Sequence, residues 1–211
     1  METRGVERWV WIGLGAVIAL VLVAGLWALR GGTAGSATEP PVIGSVPPFS
    51  LVERSGRPIS RDDLVGRPWV ADFIFTRCVG MCPALSTRMA ELRRQLRQQG
   101  LQARLVSFSV DPSHDTPEVL REYAARFGAD ESWLFVTGDR DALYQLIGQG
   151  FRLSVADRPT EQSADSGELV THSDRFVLID ATGRIRGYYH GSDLDAVPLV
   201  LHDLAALQPR G

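Results

Sequence analysis

The chain has 211 residues, 45% of them hydrophobic and 22% charged, with a net charge of -3. This balance fits one globular domain of ordinary size with an appendage, and it argues against a dedicated nucleic-acid binder, which presents a basic patch. All 22 basic residues are Arg, and Asn is missing too, so a P-loop lysine, a Schiff-base lysine and an Asn-linked glycan are excluded.

Trp9 to Leu29 reads WVWIGLGAVIALVLVAGLWAL, 21 residues without a charge. A helix rising ~1.5 Å per residue crosses the ~30 Å hydrocarbon core over that length. Trp9, Trp11 and Trp27 stand near its ends, where aromatic belts form. Residues 1–30 are therefore expected to be a membrane anchor, with the transmembrane helix over about 9–29. Signal-peptide cores run ~7–15 apolar residues and are shorter than this. AGSA at 34–37 keeps a cleaved signal as the alternative. Gly13-x-Gly15 has no strand before it, so it is not a nucleotide fingerprint. No Cys lies near the segment, which excludes a lipid anchor there. Arg4 and Arg8 flank one side and Arg30 the other, with no further basic residue until Arg54. The positive-inside rule then places the N-terminus in the cytoplasm of a single-pass cell-membrane protein. The remaining domain faces the periplasm or the exterior, where free thiols need a reason.

Residues 31–48, GGTAGSATEPPVIGSVPP, read as a flexible linker. Folded sequence is expected from Phe49 to about residue 208. FSLVE and SGRPIS predict a hairpin, and WVADFIFT (69–76) a strand of the sheet interior. In PALSTRMAELRRQLRQQG, Leu85, Met89, Leu92 and Leu96 recur at helical spacing. Pro83 suits the first position of that helix and Gly100 its end. ARLVSFSV (103–110) predicts a second buried strand. DTPEVLREYAARFG predicts a helix capped by Thr116, with Pro117 in its first turn. WLFVT (133–137) reads as a strand, DRDALYQLIGQG (139–150) as a short helix and FRLSV as a strand. A polar excursion from Asp157 to Glu168 follows. RFVLID (175–180) and RIRGYYH make a closing hairpin, and DLDAVPLVLHDLAAL a last helix. Strands alternating with helices predict an α/β domain with a largely parallel central sheet, made mixed by the closing antiparallel hairpin, and flanked by helices on both faces. The closing antiparallel hairpin and last helix are the thioredoxin layout.

Cys78 and Cys82, in CVGMCP, are the only two cysteines. Strand 69–76 delivers Cys78 to a loop, and the following helix takes Cys82. In an open α/β sheet ligands bind at this carboxyl edge. The helix N-terminus favours thiolate, which is both nucleophile and soft-metal ligand. Spacing leaves three readings open: a structural disulfide, a redox dithiol, or two metal ligands. A structural disulfide would close a tiny loop and gain little. The four histidines supply candidates for a third ligand. His202 sits on the last helix, His190 at a hairpin end, His114 in the loop DPSHDT, and His172 just before the strand from 175.

FIFTRCVGMCPAL, SFSVDPSHDTPEVL and THSDRFVLID..GRIRGYY together resemble the Sco/SenC family over roughly residues 46–207. That family comprises membrane-anchored, thioredoxin-like copper proteins that assist cytochrome c oxidase assembly. The resemblance implies that Cys78, Cys82 and His172 are copper ligands, for Cu(I) or Cu(II). Two thiolates and an imidazole suit such a role. It also implies delivery to the copper-bearing subunit of the oxidase, at its dinuclear copper site. Other copper chaperones and thiol–disulfide reductants are further implied partners. Thr171 stands where many members have Asp, and Val79 where Pro is frequent. Asp111-Pro112 belongs to the same pattern, as a lining of the site or a turn after the strand. A metallochaperone of this kind is not strictly an enzyme. The alternative is a thiol–disulfide oxidoreductase that keeps the oxidase cysteines reduced, with Cys78 attacking and Cys82 resolving. A peroxidase fits poorly, because Thr76 stands two residues before Cys78 where three are needed.

Overall fold

A computed structural model describes residues 13–15, 17–23, 25, 39–153 and 174–208. The chain divides into residues 1–37 and a compact unit from Thr38 onward. In the first, the described residues are helical and expose Leu14, Val17, Ile18 and Leu20 to Val23. No helix among the described residues is long and apolar enough to cross a membrane. The expected anchor at 9–29 falls partly outside them.

The second unit is built on eight strands. They are β1 (Gly44–Ser45), β2 (Ser50–Glu53), β3 (Pro58–Ser60), β4 (Trp69–Ile74), β5 (Arg104–Ser109), β6 (Trp133–Thr137), β7 (Arg175–Ile179) and β8 (Arg184–His190). The helices are α1 (Met81–Gln99), α2 (Pro117–Arg126), α3 (Arg140–Gln145) and α4 (Ala196–Ala206). The sheet order is β1-β8-β7-β4-β5-β6-β2-β3. β4, β5 and β6 run parallel at the centre, and every other pairing is antiparallel. The sheet is mixed, as expected, but less parallel than the alternation of elements predicts, because β1, β2, β3, β7 and β8 all pair antiparallel.

Alternation along the central strands makes two cores. Val70 and Ile74 of β4 pack with Leu105, Phe135, Phe176 and Leu178 beneath α1, α2 and α4. Trp69, Ala71 and Phe73 face the other way, onto Val106, Phe108, Val177 and Leu143, Leu146 and Ile147. Leu85, Met89, Leu92 and Leu96 of α1 are all buried, so its periodicity translates directly into packing. Gly100 ends α1 at φ 67, with its N–H donating to the Leu96 and Arg97 carbonyls; a residue with a Cβ would be strained there. Thr116 caps α2 by accepting from the Val119 N–H.

Four expectations are corrected. The linker read over 31–48 is too long. Gly44 and Ser45 pair with Ile185 and Arg184, Val46 is buried, and the Arg186 guanidinium donates to the Pro40 carbonyl at 2.7 Å. Pro47 also seats against Gly150, where a Cβ would come within 2.7 Å of it. α1 begins at Met81, so Pro83 is its third residue rather than its first. The helix expected over 139–150 is α-helical only to Gln145 and continues as a π turn over Leu146–Gly150. Its two glycines cost helix stability and admit the wider turn. The strand expected at FRLSV is absent from its described part, Phe151–Leu153; there Phe151 plugs the second core and Arg152 takes φ 54.

One acid lies inside the first core. Asp72 of β4 is fully buried, accepts the Ser107 hydroxyl at 2.5 Å, and has no partner on Oδ2. Ser107 in turn accepts the Trp133 indole N–H at 2.9 Å. Burial pushes the Asp72 carboxyl from 3.8 up to about 7, against the lowering by Ser107. A folded-state value above the unfolded one means stability is complete below the unfolded value and is lost as pH rises through the folded value. The window is therefore about pH 4 to 7. At ~1.4 kcal/mol per pKa step the loss is roughly 4 kcal/mol at most. Asp72→Asn cannot ionise, so its stability relative to wild type is expected to rise by up to that amount between pH 4 and pH 8. Denaturant unfolding at both pH values checks this. An unchanged difference would show that Asp72 stays in one protonation state.

Candidate metal and thiol site

β4 ends at Ile74, and the chain turns at once toward α1. The Cys78 N–H donates to the Phe75 carbonyl at 3.2 Å, closing a tight turn. Cys82 is the second residue of α1 and is 5% exposed, while Cys78 is half-buried. Both thiols are free. The Cys82 N–H, one of the unpaired donors of the helix start, points at the Cys78 sulfur at 3.3 Å.

The two sulfurs are therefore unequal. Thiolate, expected at both sulfurs from the helix start, is disfavoured at Cys82. Burial pushes the Cys82 thiol far up, with Cys78 adding to the rise and only the Phe75 backbone opposing it. Cys82 is a neutral thiol until a metal or a disulfide takes the place of its proton.

The same sheet edge collects further groups. The loop after β5 brings Asp111, whose carboxylate pairs with Arg77 at 2.6 Å. Asp111 is also the turn former of that loop, its carbonyl accepting the His114 and Asp115 N–H groups. His114 itself is exposed. The antiparallel register of β4 and β7 pairs Ala71 with Val177, which carries Asp174 to the level of Ile74. Asp174 accepts from the Ser192 hydroxyl at 2.5 Å and faces His190 Nδ1 at 3.1 Å. Burial raises the Asp174 carboxyl, but the Ser192 and His190 contacts outweigh it and hold the group below the usual range. His202 lies exposed on α4.

His172, Thr171 and the excursion Asp157 to Glu168 lie outside the described residues. The described chain resumes at Asp174. Among the described residues no group of three or more His, Cys, Asp or Glu is arranged to hold a metal. Among the described residues, Cys78 and Cys82 are the candidate ligands brought together here.

Several participants escaped the sequence. Asp115 is fully buried under the thiol turn, and its signal was only its place in SVDPSHDTP. The Asp174–His190–Ser192 group joins residues 16 and 18 positions apart across the β7–β8 hairpin. No local spacing announces it.

The chain's likeness to known proteins agrees with this geometry. The family model described as SCO1/SenC matches residues 38–206. A SCO1/SenC family lipoprotein from Bacillus anthracis is 31% identical, with 81% of this chain and 98% of that one covered at a TM-score of 0.72. BsSco, described as a member of the Sco family of cytochrome c oxidase assembly proteins with a disulfide switch, is 28% identical, with 81% and 96% covered at 0.69. Arabidopsis thaliana ScoI, solved with copper bound, is 25% identical, with 78% and 97% covered at 0.64. With its paired thiols at the carboxyl edge of a mixed sheet and a family match over most of its length, the chain belongs to the SCO1/SenC family.

Proposed function

We propose that this protein is a copper metallochaperone, binding copper through Cys78, Cys82 and His172 and delivering it to the dinuclear copper site of cytochrome c oxidase. The observation that carries the reading is the pair of free thiols at the start of α1, one half-exposed and one buried. Two sulfurs and an imidazole form a soft set that suits Cu(I) and also holds Cu(II). A site with three ligands and one accessible sulfur lets an acceptor's thiolates attack the metal and take it in steps. A closed four-ligand zinc site would resist that exchange. The copper-bound Arabidopsis relative and the oxidase-assembly role stated for BsSco support the cargo and the acceptor. The test is copper titration of the reduced and the oxidised chain. One ion per chain on the dithiol and far less on the disulfide supports the reading.

A second reading rests on the inequality of the sulfurs. Accessible Cys78 suits attack on a target disulfide, and buried Cys82 suits resolution of the mixed disulfide. The target gains two electrons and two protons, and Cys78–Cys82 is left oxidised for an external dithiol to reduce. The disulfide switch named for BsSco favours this reading.

The anchor belongs to the same proposal. Residues 9–29 hold the protein in the cell membrane as a single span, with the N-terminus cytoplasmic and the domain on the periplasmic or extracellular side. The uncharged run and the exposed apolar side chains of its described part support this. Intact-mass measurement of membrane-extracted protein is expected to find the segment retained. A mature N-terminus near residue 37 would overturn it.

A further inference from the structure

Two consecutive residues of the thiol turn reach across to the loop that follows β5. Arg77 pairs with Asp111 at the surface. Thr76 goes deeper, to Asp115. The Thr76 hydroxyl donates to Asp115 Oδ1 at 2.5 Å, and the Thr76 N–H lies 3.3 and 3.2 Å from Oδ1 and Oδ2. The Ser109 hydroxyl donates to Oδ2 at 2.6 Å, and Ser109 in turn accepts the Asp111 N–H at 3.1 Å. Asp115 is fully buried, so both of its oxygens are committed to this junction.

We propose that Asp115 is a positioning residue that fixes the Phe75–Cys78 turn, and through it the reactive sulfur of Cys78. The proposal rests on reading Cys78 and Cys82 as the working pair. Thr76 lies inside the turn closed by the Cys78 N–H and the Phe75 carbonyl. Holding Thr76 therefore holds the backbone that carries Cys78. That placement keeps the Cys78 sulfur 3.3 Å from the Cys82 N–H. Asp115 touches neither sulfur and acts through Thr76.

The junction needs an acid and not an amide. Three donors converge on two oxygens. Asn at 115 would keep one oxygen and set an NH2 against hydroxyls that are already donating. The Ser109 oxygen also already receives the Asp111 N–H. At least one buried donor would lose its acceptor, and the turn would be released.

The test is peptide-resolved alkylation of the reduced full-length protein in detergent, by iodoacetamide at neutral pH. Cys82 in the same digest serves as a buried reference. Asp115→Asn and Thr76→Val are each expected to slow labelling of Cys78 about fivefold, the loss that follows when the sulfur's one hydrogen-bond contact, with the Cys82 N–H, is weakened. Thr76→Ser keeps the hydroxyl and is expected to react as wild type. The double variant Asp115→Asn/Thr76→Val is expected to react no more slowly than the worse single one. If Asp115→Asn fails to fold, Thr76→Val decides alone, because it removes one hydroxyl and leaves the carboxylate in place. A folded Thr76→Val that labels at the wild-type rate overturns the proposal, as does a loss of thermal stability with no change at Cys78. The assay uses neither copper nor an acceptor, so failure of copper binding with the alkylation effect intact would sink the copper reading alone.

Discussion

Reduced protein is expected to bind one copper ion per chain, and the Cys78–Cys82 disulfide form to bind at least about a hundredfold more weakly. Losing an outer hydrogen-bond partner of a ligand costs roughly 10–100-fold in metal affinity. Oxidation removes two ligands at once, since a disulfide sulfur has given up the charge that a thiolate offers a soft metal. Cys82 adds a second expectation. Burial pushes its thiol far up, so copper must displace a proton that the free protein holds firmly. Binding then releases protons, and apparent affinity rises with pH across the neutral range. Titration with a competing Cu(I) chelator, at two pH values and in both redox states, reads all of this. Equal retention by dithiol and disulfide would remove the cysteines from the site. An affinity that ignores pH would mean that Cys82 keeps its proton and is not a ligand.

What could be read in advance was what local pattern carries. Leu85, Met89, Leu92 and Leu96 share one face of α1 because 4, 3, 4 spacing leaves them no other choice. The apolar runs at 69–74 and 104–109 are central parallel strands because only a sheet covered on both faces buries such runs. What was missed depends on partners distant in the chain. Gly44 and Ser45 look like linker, yet they are a strand because β8 offers an edge and Arg186 holds Pro40. Asp72 is conspicuous in an apolar run, but Ser107 and Trp133, its network, come from two other strands. For the site, the cysteine pair and its sheet edge were legible in the order of elements. The difference between the two sulfurs was not, because α1 buries one and leaves the other half-open. His172 rested on the family likeness, as no spacing in the chain distinguishes it from His114 or His190.

His172→Ala is therefore the change with the most to decide. The described chain resumes two residues after His172, at Asp174, on the edge where β4 releases the thiol turn. If His172 supplies the third ligand, its loss turns a site of two thiolates and an imidazole into one of two thiolates. Cu(I) accepts such a pair readily, while Cu(II) prefers a nitrogen donor and a higher coordination number. Cu(II) affinity is expected to fall by at least about a hundredfold, more than the roughly 10–100-fold lost with an outer partner. Cu(I) affinity is expected to fall far less. The visible and EPR spectra of the Cu(II) form should lose their nitrogen signature, with thermal stability and disulfide formation at wild-type levels. His190 is the natural control, because Asp174 already faces its Nδ1 at 3.1 Å. His190→Ala is expected to leave the Cu(II) spectra unchanged. Spectra that survive His172→Ala and vanish in His114→Ala or His190→Ala would move the ligand to that histidine. Spectra that survive all three, in a protein that reduces a disulfide substrate at the wild-type rate, would give the function to the thiols alone.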